Sequence, residues 1–283
     1  MIARSQLATD LRTLGLREGD VVMAHASVRA IGEIAGGPDE IHLAVKDVIT
    51  PRGTLVMYAS CPRYVDEVGR GNLSAAEEAA VLAMLPPFDA RTARSARDNG
   101  ALVEFFRTWP DSRVNAHPAR FVAWGGAVDR LFASQPWDFA FGAGSPLDRF
   151  VELDGRILLL APDHDTVTFL HYVEHVADIP DRRIARFKVP VLEDGVCVWR
   201  EMKEYDTSSA GAHAHWPDRF FARIVDTYLA QTGNHGGHVG QAHCHLLPAR
   251  GLLDFARPVM ERVARDARAA DRLLHRADAS PAP

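Results

Sequence analysis

The clearest hydrophobic pattern in the chain lies between residues 155 and 175, where a buried run is followed at once by a helical stripe. Residues 157–161 form a short, uninterrupted apolar run, which is typical of a strand covered on both faces. Apolar residues then recur at a spacing of three, at Val167, Leu170 and Val173, and predict an amphipathic helix. In α/β folds, ligands bind at strand-to-helix junctions of this kind.

Titratable side chains cluster at the start of the same predicted helix. Asp165 or Thr166 can cap it. If the helix begins early enough, one of its faces presents four side chains at spacings of four, three and four residues. These are His164, Thr168, His171 and His175.

The rest of the chain alternates between further apolar stripes and short apolar runs. The stripes predict helices over residues 5–14, 100–109, 127–133, 146–153 and 220–229, with one more after Pro38 and one from Ala249. The runs predict strands over residues 21–24, 54–59 and 121–124.

Two local motifs and the absence of a linker complete this outline. Ser74 and Glu77 form a capping box. Alternating residues on both sides of Glu193-Asp194-Gly195 predict a β-hairpin over residues 186–191 and 196–204. Because neither a repeat nor a linker composition is visible, we expect one α/β domain over residues 1–276, followed by a polar tail at 277–283.

Composition narrows the possible functions only slightly. The 283 residues are 47 % hydrophobic and 24 % charged, as in an ordinary globular protein, and the net charge of −5 argues against nucleic-acid binding. Three cysteines, too few and too irregularly spaced for a disulfide framework, predict reduced thiols. No apolar stretch reaches the roughly 18 residues that a membrane span needs. We therefore expect a cytoplasmic protein without a membrane partner.

One interpretation of the central helix is a metal site. His171, Glu174 and His175 match the pattern H-x-x-E-H, in which histidines four residues apart on a helix can hold Zn²⁺. A catalytic zinc also needs a third protein ligand, and no residue stands out for that role. A zinc hydrolase that uses His171 and His175 is therefore an alternative hypothesis from a different functional class.

A second interpretation is general-base catalysis by His171. A histidine on a rigid helix, oriented by a carboxylate, can accept a proton near neutral pH. Glu174 lies within reach along the helix, and Glu204 or Asp206 could supply the carboxylate from the end of the hairpin. His171 could equally be a core histidine beside apolar neighbours.

Several other polar groups allow both a functional and a structural interpretation. The loop after the first strand contains Arg29 and closes with Gly36 and Gly37, so it could bind an anion or simply turn the chain. His117 precedes a proline and could belong to a site or to a connector. Metal ligands and a surface loop are both compatible with the histidines among glycines near the C-terminus. Those histidines are His235, His238, His243 and His245.

Several motifs occur in order over most of the chain. The densest is residues 164–174 (HDTVTFLHYVE). The others are residues 22–29 (VMAHASVR), 54–57 (TLVM), 87–89 (PFD), 98–104 (DNGALVE), Arg113 with His117-Pro118, 144–146 (GSP) and 153–160 (LDGRILLL). Taken together, these motifs resemble the aminoglycoside 3-N-acetyltransferase family.

The resemblance implies transfer of acetyl from acetyl-coenzyme A to the 3-amino group of 2-deoxystreptamine aminoglycosides, and so antibiotic resistance. It implies a mixed central sheet flanked by helices, an antibiotic N-acetyltransferase-like fold distinct from GNAT enzymes, with no metal. His171 would be the catalytic base, paired with Glu204, with Thr168 near the thioester. The partners would be an aminoglycoside and coenzyme A, and the protein would be a monomer or homodimer.

The resemblance also suggests which residues bind each substrate. Coenzyme A would contact His25, Ala26, Ser27, Val28, Arg29, Gly36 and Thr168. The cationic acceptor would contact Tyr64, Asp66, Glu67, Asp98, His117, His164, Glu174 and Asp206. Residues 61–97, which should shape the acceptor pocket, match the family least. An acyl-coenzyme A-dependent N-acyltransferase that acts on another small amine is therefore the alternative within the same fold.

Overall fold

The computed structural model describes residues 1–61, 73–206 and 215–274. The tail expected at residues 277–283 lies outside this part of the chain. In the described part, no helix combines the length and the apolar character needed to cross a membrane.

Eleven helices and nine strands are described within these three ranges. The helices are α1 (Arg4–Leu14), α2 (Val28–Ile31), α3 (Asp39–Ile49), α4 (Ala75–Met84), α5 (Ala101–Thr108), α6 (Val128–Leu131), α7 (Pro146–Glu152), α8 (Phe169–Val176), α9 (Phe220–Thr232), α10 (Ala249–Arg265) and α11 (Ala269–Leu273). The strands are β1 (Val21–Ala26), β2 (Thr54–Tyr58), β3 (Arg113–Val114), β4 (Phe121–Gly125), β5 (Arg156–Leu160), β6 (Ile184–Glu193), β7 (Val196–Tyr205), β8 (Gly237–Val239) and β9 (Ala242–Pro248).

Seven of these strands form a mixed sheet in the order β3-β4-β2-β1-β5-β9-β8. The three central strands are parallel, with Met23 of β1 opposite Val56 of β2 on one side and Ile157 of β5 on the other. The outer strands are antiparallel to their neighbours. The expected α/β fold with a mixed central sheet is therefore confirmed.

Helices cover both faces of the central strands, which explains why those strands read as continuous apolar runs. Met23 and Leu159 belong to a core that includes residues of α6 to α11. Their neighbours Val22 and Leu158 point to the opposite face and pack with α1, α3 and α5. The alternation follows from the two-residue period of a strand.

The hairpin β6–β7 forms a separate two-stranded sheet. Asp194 and Gly195 both have positive φ, at 48° and 80°, as the predicted tight turn requires. Phe187 and Met202 on one face of the hairpin pack around Phe88 in a small third core. Glu204 lies near the open end of this hairpin, where its carboxylate accepts the Ala140 N–H.

Two local predictions near the C-terminal half are wrong. The helix expected to begin near residue 165 is instead a 3₁₀ turn, His164–Thr166, followed by α8. The Asp163 side chain caps this turn by accepting the Asp165 N–H at 3.0 Å. The glycine-rich histidine segment is a strand pair, not a surface loop, with His238 opposite His243. The capping box of Ser74 and Glu77 is confirmed.

Candidate functional site

A cavity of about 640 Å³ opens at the carboxyl ends of the parallel strands, where α/β sheets bind ligands. Its walls come from the end of β1 with the start of α2, the end of β2, the start of α5, and the segment that joins β5 to α8. The lining includes the predicted coenzyme residues His25, Ala26, Ser27, Val28, Arg29 and Thr168, together with Asp98.

Some of the cavity wall was not predicted from the sequence. Arg97, Asn99 and Gly100 line it from the turn before α5, and Asp163 lines it from the segment after β5. Tyr58 could have been found, because it ends a buried strand at the same edge of the sheet as His25. The turn before α5 carries no periodic signal, so its position depends on the tertiary fold.

The described residues that line this cavity do not include Gly36, which was expected to contact coenzyme A. The Gly37 N–H donates to the Ile34 carbonyl at 3.1 Å, as in an ordinary connecting turn. The helix that follows begins with Asp39 and Glu40, whose negative charges disfavour a phosphate at its N-terminus. The glycine pair therefore serves as a connector.

His25 is a neutral imidazole in the cavity wall. Burial lowers its pKa to about 4. Its Nε2 atom is buried and makes no hydrogen bond to another described residue. His25 can therefore offer a hydrogen bond to a ligand without adding positive charge.

His171 lies on α8 one helical turn beyond Thr168, and its side chain is 36 % exposed. Its Nδ1 atom lies 2.5 Å from Oε2 of Glu174, whose side chain is only 3 % exposed. Because a carboxylate only accepts, Nδ1–H is the donor, and Nε2 keeps the lone pair that a general base uses. This pairing lies within one helix, between residues three positions apart.

The charges around His171 favour its protonated form. Burial by itself would lower the pKa of His171, but the adjacent charge and hydrogen bond of Glu174 outweigh it, with further help from the charges of Glu204 and Asp165. The pKa of His171 is therefore raised above its ordinary value of 6.5.

The expected pairing of Glu204 with His171 is corrected by the contacts. Oε1 of Glu204 lies 2.5 Å from Nε2 of His175, one helical turn further along α8. The carboxylate also accepts the backbone N–H groups of Ala140 and Tyr205, each at 2.9 Å. The reason is geometric: the docked hairpin places Glu204 opposite the second histidine of the helix.

Aromatic rings surround the His171 imidazole. Phe141 stacks at 5.3 Å between ring centroids, and Phe221 meets the ring edge-on at 5.0 Å. Phe141 also contacts Tyr58 of the cavity wall at 5.6 Å. The His171 imidazole therefore lies between aromatic rings, one of which also contacts Tyr58 of the cavity wall.

Several residues expected to face the acceptor are engaged elsewhere. His164 lies 2.6 Å from Asp226 through Nδ1, because the 3₁₀ turn directs it toward α9. His117 is buried, accepts the Ala119 N–H at 3.0 Å, and has its pKa lowered by burial to about 4. Glu174 is buried against His171, and Asp206 is also buried. Tyr64, Asp66 and Glu67 lie outside the described residues.

The contacts do not favour the zinc hypothesis. Nδ1 of His175 lies 2.7 Å from the His171 carbonyl oxygen, and its Nε2 is bonded to Glu204. Both ring nitrogens are therefore occupied. Across residues 1–61, 73–206 and 215–274, no three His, Cys, Asp or Glu side chains converge in a way that could hold a metal ion. Cys61, Cys197 and Cys244 are free thiols, as expected.

Comparison with known proteins gives one consistent result. Residues 23–261 match the family model described as aminoglycoside 3-N-acetyltransferase. An aminoglycoside N(3)-acetyltransferase III from Pseudomonas aeruginosa is 38 % identical over 256 residues, which cover 89 % of this chain and 91 % of the relative.

Solved structures agree with the sequence match. AAC-IIIb in a binary complex with CoASH is similar with a TM-score of 0.82 and 36 % identity, covering 92 % of this chain and 96 % of the other. AAC-VIa with bound sisomicin is similar with the same TM-score and 34 % identity, covering 92 % and 98 %. The family expected from the sequence motifs is confirmed: this chain belongs to the aminoglycoside 3-N-acetyltransferase family.

Proposed function

We propose that this protein transfers the acetyl group of acetyl-coenzyme A to the 3-amino group of 2-deoxystreptamine aminoglycosides, with His171 as general base. Membership of the family supports the reaction class. The observation that carries the residue assignment is the His171–Glu174 pair, a partly exposed imidazole oriented by a buried carboxylate, one helical turn from the cavity residue Thr168.

The cavity fits the acyl donor in size and charge. A volume of about 640 Å³ lies within the range of pockets that bind small molecules and cofactors. Arg29 and Arg97 line it and are exposed to solvent, so their positive charges can reach the anionic phosphates of a bound donor. Uncharged His25 and the nearby Thr168 line the same cavity, and they would face the acyl end of the donor.

The transfer requires one proton to leave the attacking amine. The neutral amine attacks the thioester carbonyl carbon, so that a C–N bond forms and, after the tetrahedral intermediate, the C–S bond breaks. Nε2 of His171 accepts the amine proton and returns it to the departing thiolate. The Glu174 carboxylate holds the ring and stabilises the imidazolium meanwhile. General-base assistance of this kind contributes about 10²–10⁴-fold to the rate.

The negative charge that develops on the carbonyl oxygen needs a hydrogen-bond donor. Thr168 precedes α8, and its side chain makes no capping hydrogen bond to the helix. Its hydroxyl is therefore our proposed donor. The Thr166 N–H donates to the Asp163 carbonyl at 3.0 Å, so it is committed to the turn.

The acceptor is a polycation, and carboxylates should bind it. Asp98 lines the cavity and is exposed to solvent, so it can contact an ammonium group. Tyr64, Asp66 and Glu67 stay predictions for the acceptor side. Because residues 61–97 match the family least, another small amine is the second candidate acceptor for the same chemistry.

A thiol-release assay tests this function directly. Purified protein and acetyl-coenzyme A would be mixed with gentamicin, sisomicin and kanamycin, with simple polyamines as controls. We expect thiol release with 2-deoxystreptamine compounds and, by mass spectrometry, one acetyl group on the 3-amine. If thiol is released only with polyamines, the acceptor substrate is another small amine. No release with any amine would contradict the proposal.

A further inference from the structure

We propose that Asp163 and Arg219 are positioning residues that hold Phe221 of α9 against the imidazole of His171. The inference rests on the proposed function, because it takes His171 as the base. It concerns a pair of residues that touch neither the imidazole nor Glu174, and that act on the base through the start of α9.

Three consecutive residues after β5 bind the N-terminal part of α9. Asp163 forms a bidentate ion pair with Arg219, with distances of 2.8 and 3.0 Å. The next residue, His164, contacts Asp226 at 2.6 Å. The Asp165 carboxylate accepts the Ala222 N–H at 3.1 Å. Because all three side chains of residues 163–165 make these contacts, the segment fixes both the position and the rotation of the start of α9.

The start of α9 needs such a constraint. Arg219 precedes the helix with φ 55° and ψ 39°, a left-handed conformation that costs free energy for a residue with a Cβ. The ion pair with Asp163 holds this side chain in place from outside the helix. Losing the pair would therefore allow the first turn of α9 to relax.

The first turn of α9 carries the ring that covers the base. Phe221 follows Arg219 by two residues, is buried, and meets the His171 ring edge-on at 5.0 Å. Trp216 and Phe220 pack together at 4.6 Å on the same segment. A shift of this turn would therefore uncover one face of the imidazole.

One member of the pair borders the donor cavity. Asp163 lines the cavity, whereas Arg219 immediately precedes α9, the helix that carries Phe221. The pair therefore joins the wall of the donor site to the cover of the base. A donor bound beside Asp163 would meet the base in a fixed orientation.

The test uses a readout that a purely structural ion pair would not change, the titration of His171 itself. Among the described residues, the charged groups that raise the pKa of His171 are Glu174, Glu204 and Asp165, and the variants alter none of these three. Burial lowers the pKa of His171, so uncovering the ring should raise it further. We would measure this pKa by histidine NMR, with the signal assigned through its loss in His171→Asn.

The variants are Asp163→Asn, Phe221→Leu, their combination, and Glu193→Gln as a matched control. Glu193 and Arg200 form a bidentate pair on the hairpin with 34 % and 42 % exposed side chains, against 47 % and 43 % for Asp163 and Arg219. We expect Asp163→Asn to raise the pKa of His171 by a few tenths of a unit and to lower kcat about two- to fivefold, the size of effect that an exposed pair carries.

The outcomes separate this inference from the proposed function. Phe221→Leu should shift the pKa at least as far as Asp163→Asn, the double variant should shift it no further than Phe221→Leu, and Glu193→Gln should leave it unchanged. A shift in Phe221→Leu without one in Asp163→Asn would overturn the positioning role. If the NMR shift is seen but the pH profile of kcat/KM does not follow it, the positioning stands and His171 is not the base.

Discussion

Two histidines lie one helical turn apart on α8, and each is paired with a glutamate. The two pairs differ in exposure and in hydrogen-bond partners. His171 is 36 % exposed and bonds Glu174 of the same helix through one nitrogen. His175 is 3 % exposed and uses both nitrogens, one for Glu204 of the hairpin and one for a backbone carbonyl. Among the described residues, Nε2 of His171 has no hydrogen-bond partner, whereas both ring nitrogens of His175 have one.

The difference also concerns access to substrate. Both ring nitrogens of His175 lie against oxygen atoms, Nδ1 against the His171 carbonyl and Nε2 against the Glu204 carboxylate, so neither is available to a substrate. The His175–Glu204 contact attaches the hairpin to α8, whereas our proposal assigns the proton transfer to His171. Similar residues therefore have different roles because their exposure and partners differ.

The largest expected effect is on turnover. His171→Ala should lower kcat by about 10²–10⁴-fold. It should also lower the free energy of unfolding, because it removes the hydrogen-bond partner of the buried Glu174 carboxylate, so the rate is compared only under conditions in which the variant is folded. The thiol-release rate and urea unfolding would be measured on the same preparation. His243→Ala, an exposed histidine of β9, is the control and should match the wild type in both. Turnover within about threefold of wild type in His171→Ala would remove His171 from the mechanism.

The second pair should affect stability first. Glu204→Ala leaves the His175 imidazole and the Ala140 N–H without their acceptor, so we expect the free energy of unfolding to fall by about 2–4 kcal/mol. The control is Glu201→Ala on the same strand, whose carboxylate is 79 % exposed and lies 3.2 Å from Lys188. Loss of activity with unchanged stability in Glu204→Ala would assign Glu204 to the chemistry.

His117 extends the comparison, because among the described residues it forms no hydrogen bond to a carboxylate. Burial lowers the pKa of His117 to about 4 against 6.5, so between these values the unfolded chain binds more protons than the folded one. Stability should therefore decrease as pH falls from 6.5 to 4, by roughly 3 kcal/mol for this residue at about 1.4 kcal/mol per pKa unit. Unfolding midpoints measured across this range should depend less on pH in His117→Gln than in wild type.

Local chemistry allowed much of this arrangement to be predicted. The hairpin turn is specified by Asp194 and Gly195, and the cavity residues from His25 to Arg29 follow because they leave a buried strand. The position of His171 on a helix follows from the spacing of the apolar residues around it. Each of these features depends on a few neighbouring residues.

The pairing of the carboxylates could not be predicted, because it depends on how distant elements dock. Glu204 bonds His175 only because residues Ala140 and Tyr205 hold its carboxylate there through their N–H groups. His164 was expected to face a substrate, but the 3₁₀ turn that Asp163 caps directs it to Asp226. Phe141 and Phe221 contact the His171 ring from segments far apart in the chain, so no local pattern marks them.

The most direct test of the contrast between the two pairs is the pH profile of kcat/KM in Glu174→Gln and Glu204→Gln. The Glu174 charge and hydrogen bond raise the pKa of His171. If His171 is the general base, as we propose, activity requires its neutral imidazole and should decline as pH falls through that pKa. We predict that Glu174→Gln moves this acid limb to lower pH and that Glu204→Gln moves it less. A larger shift in Glu204→Gln than in Glu174→Gln would contradict the assignment of the two pairs.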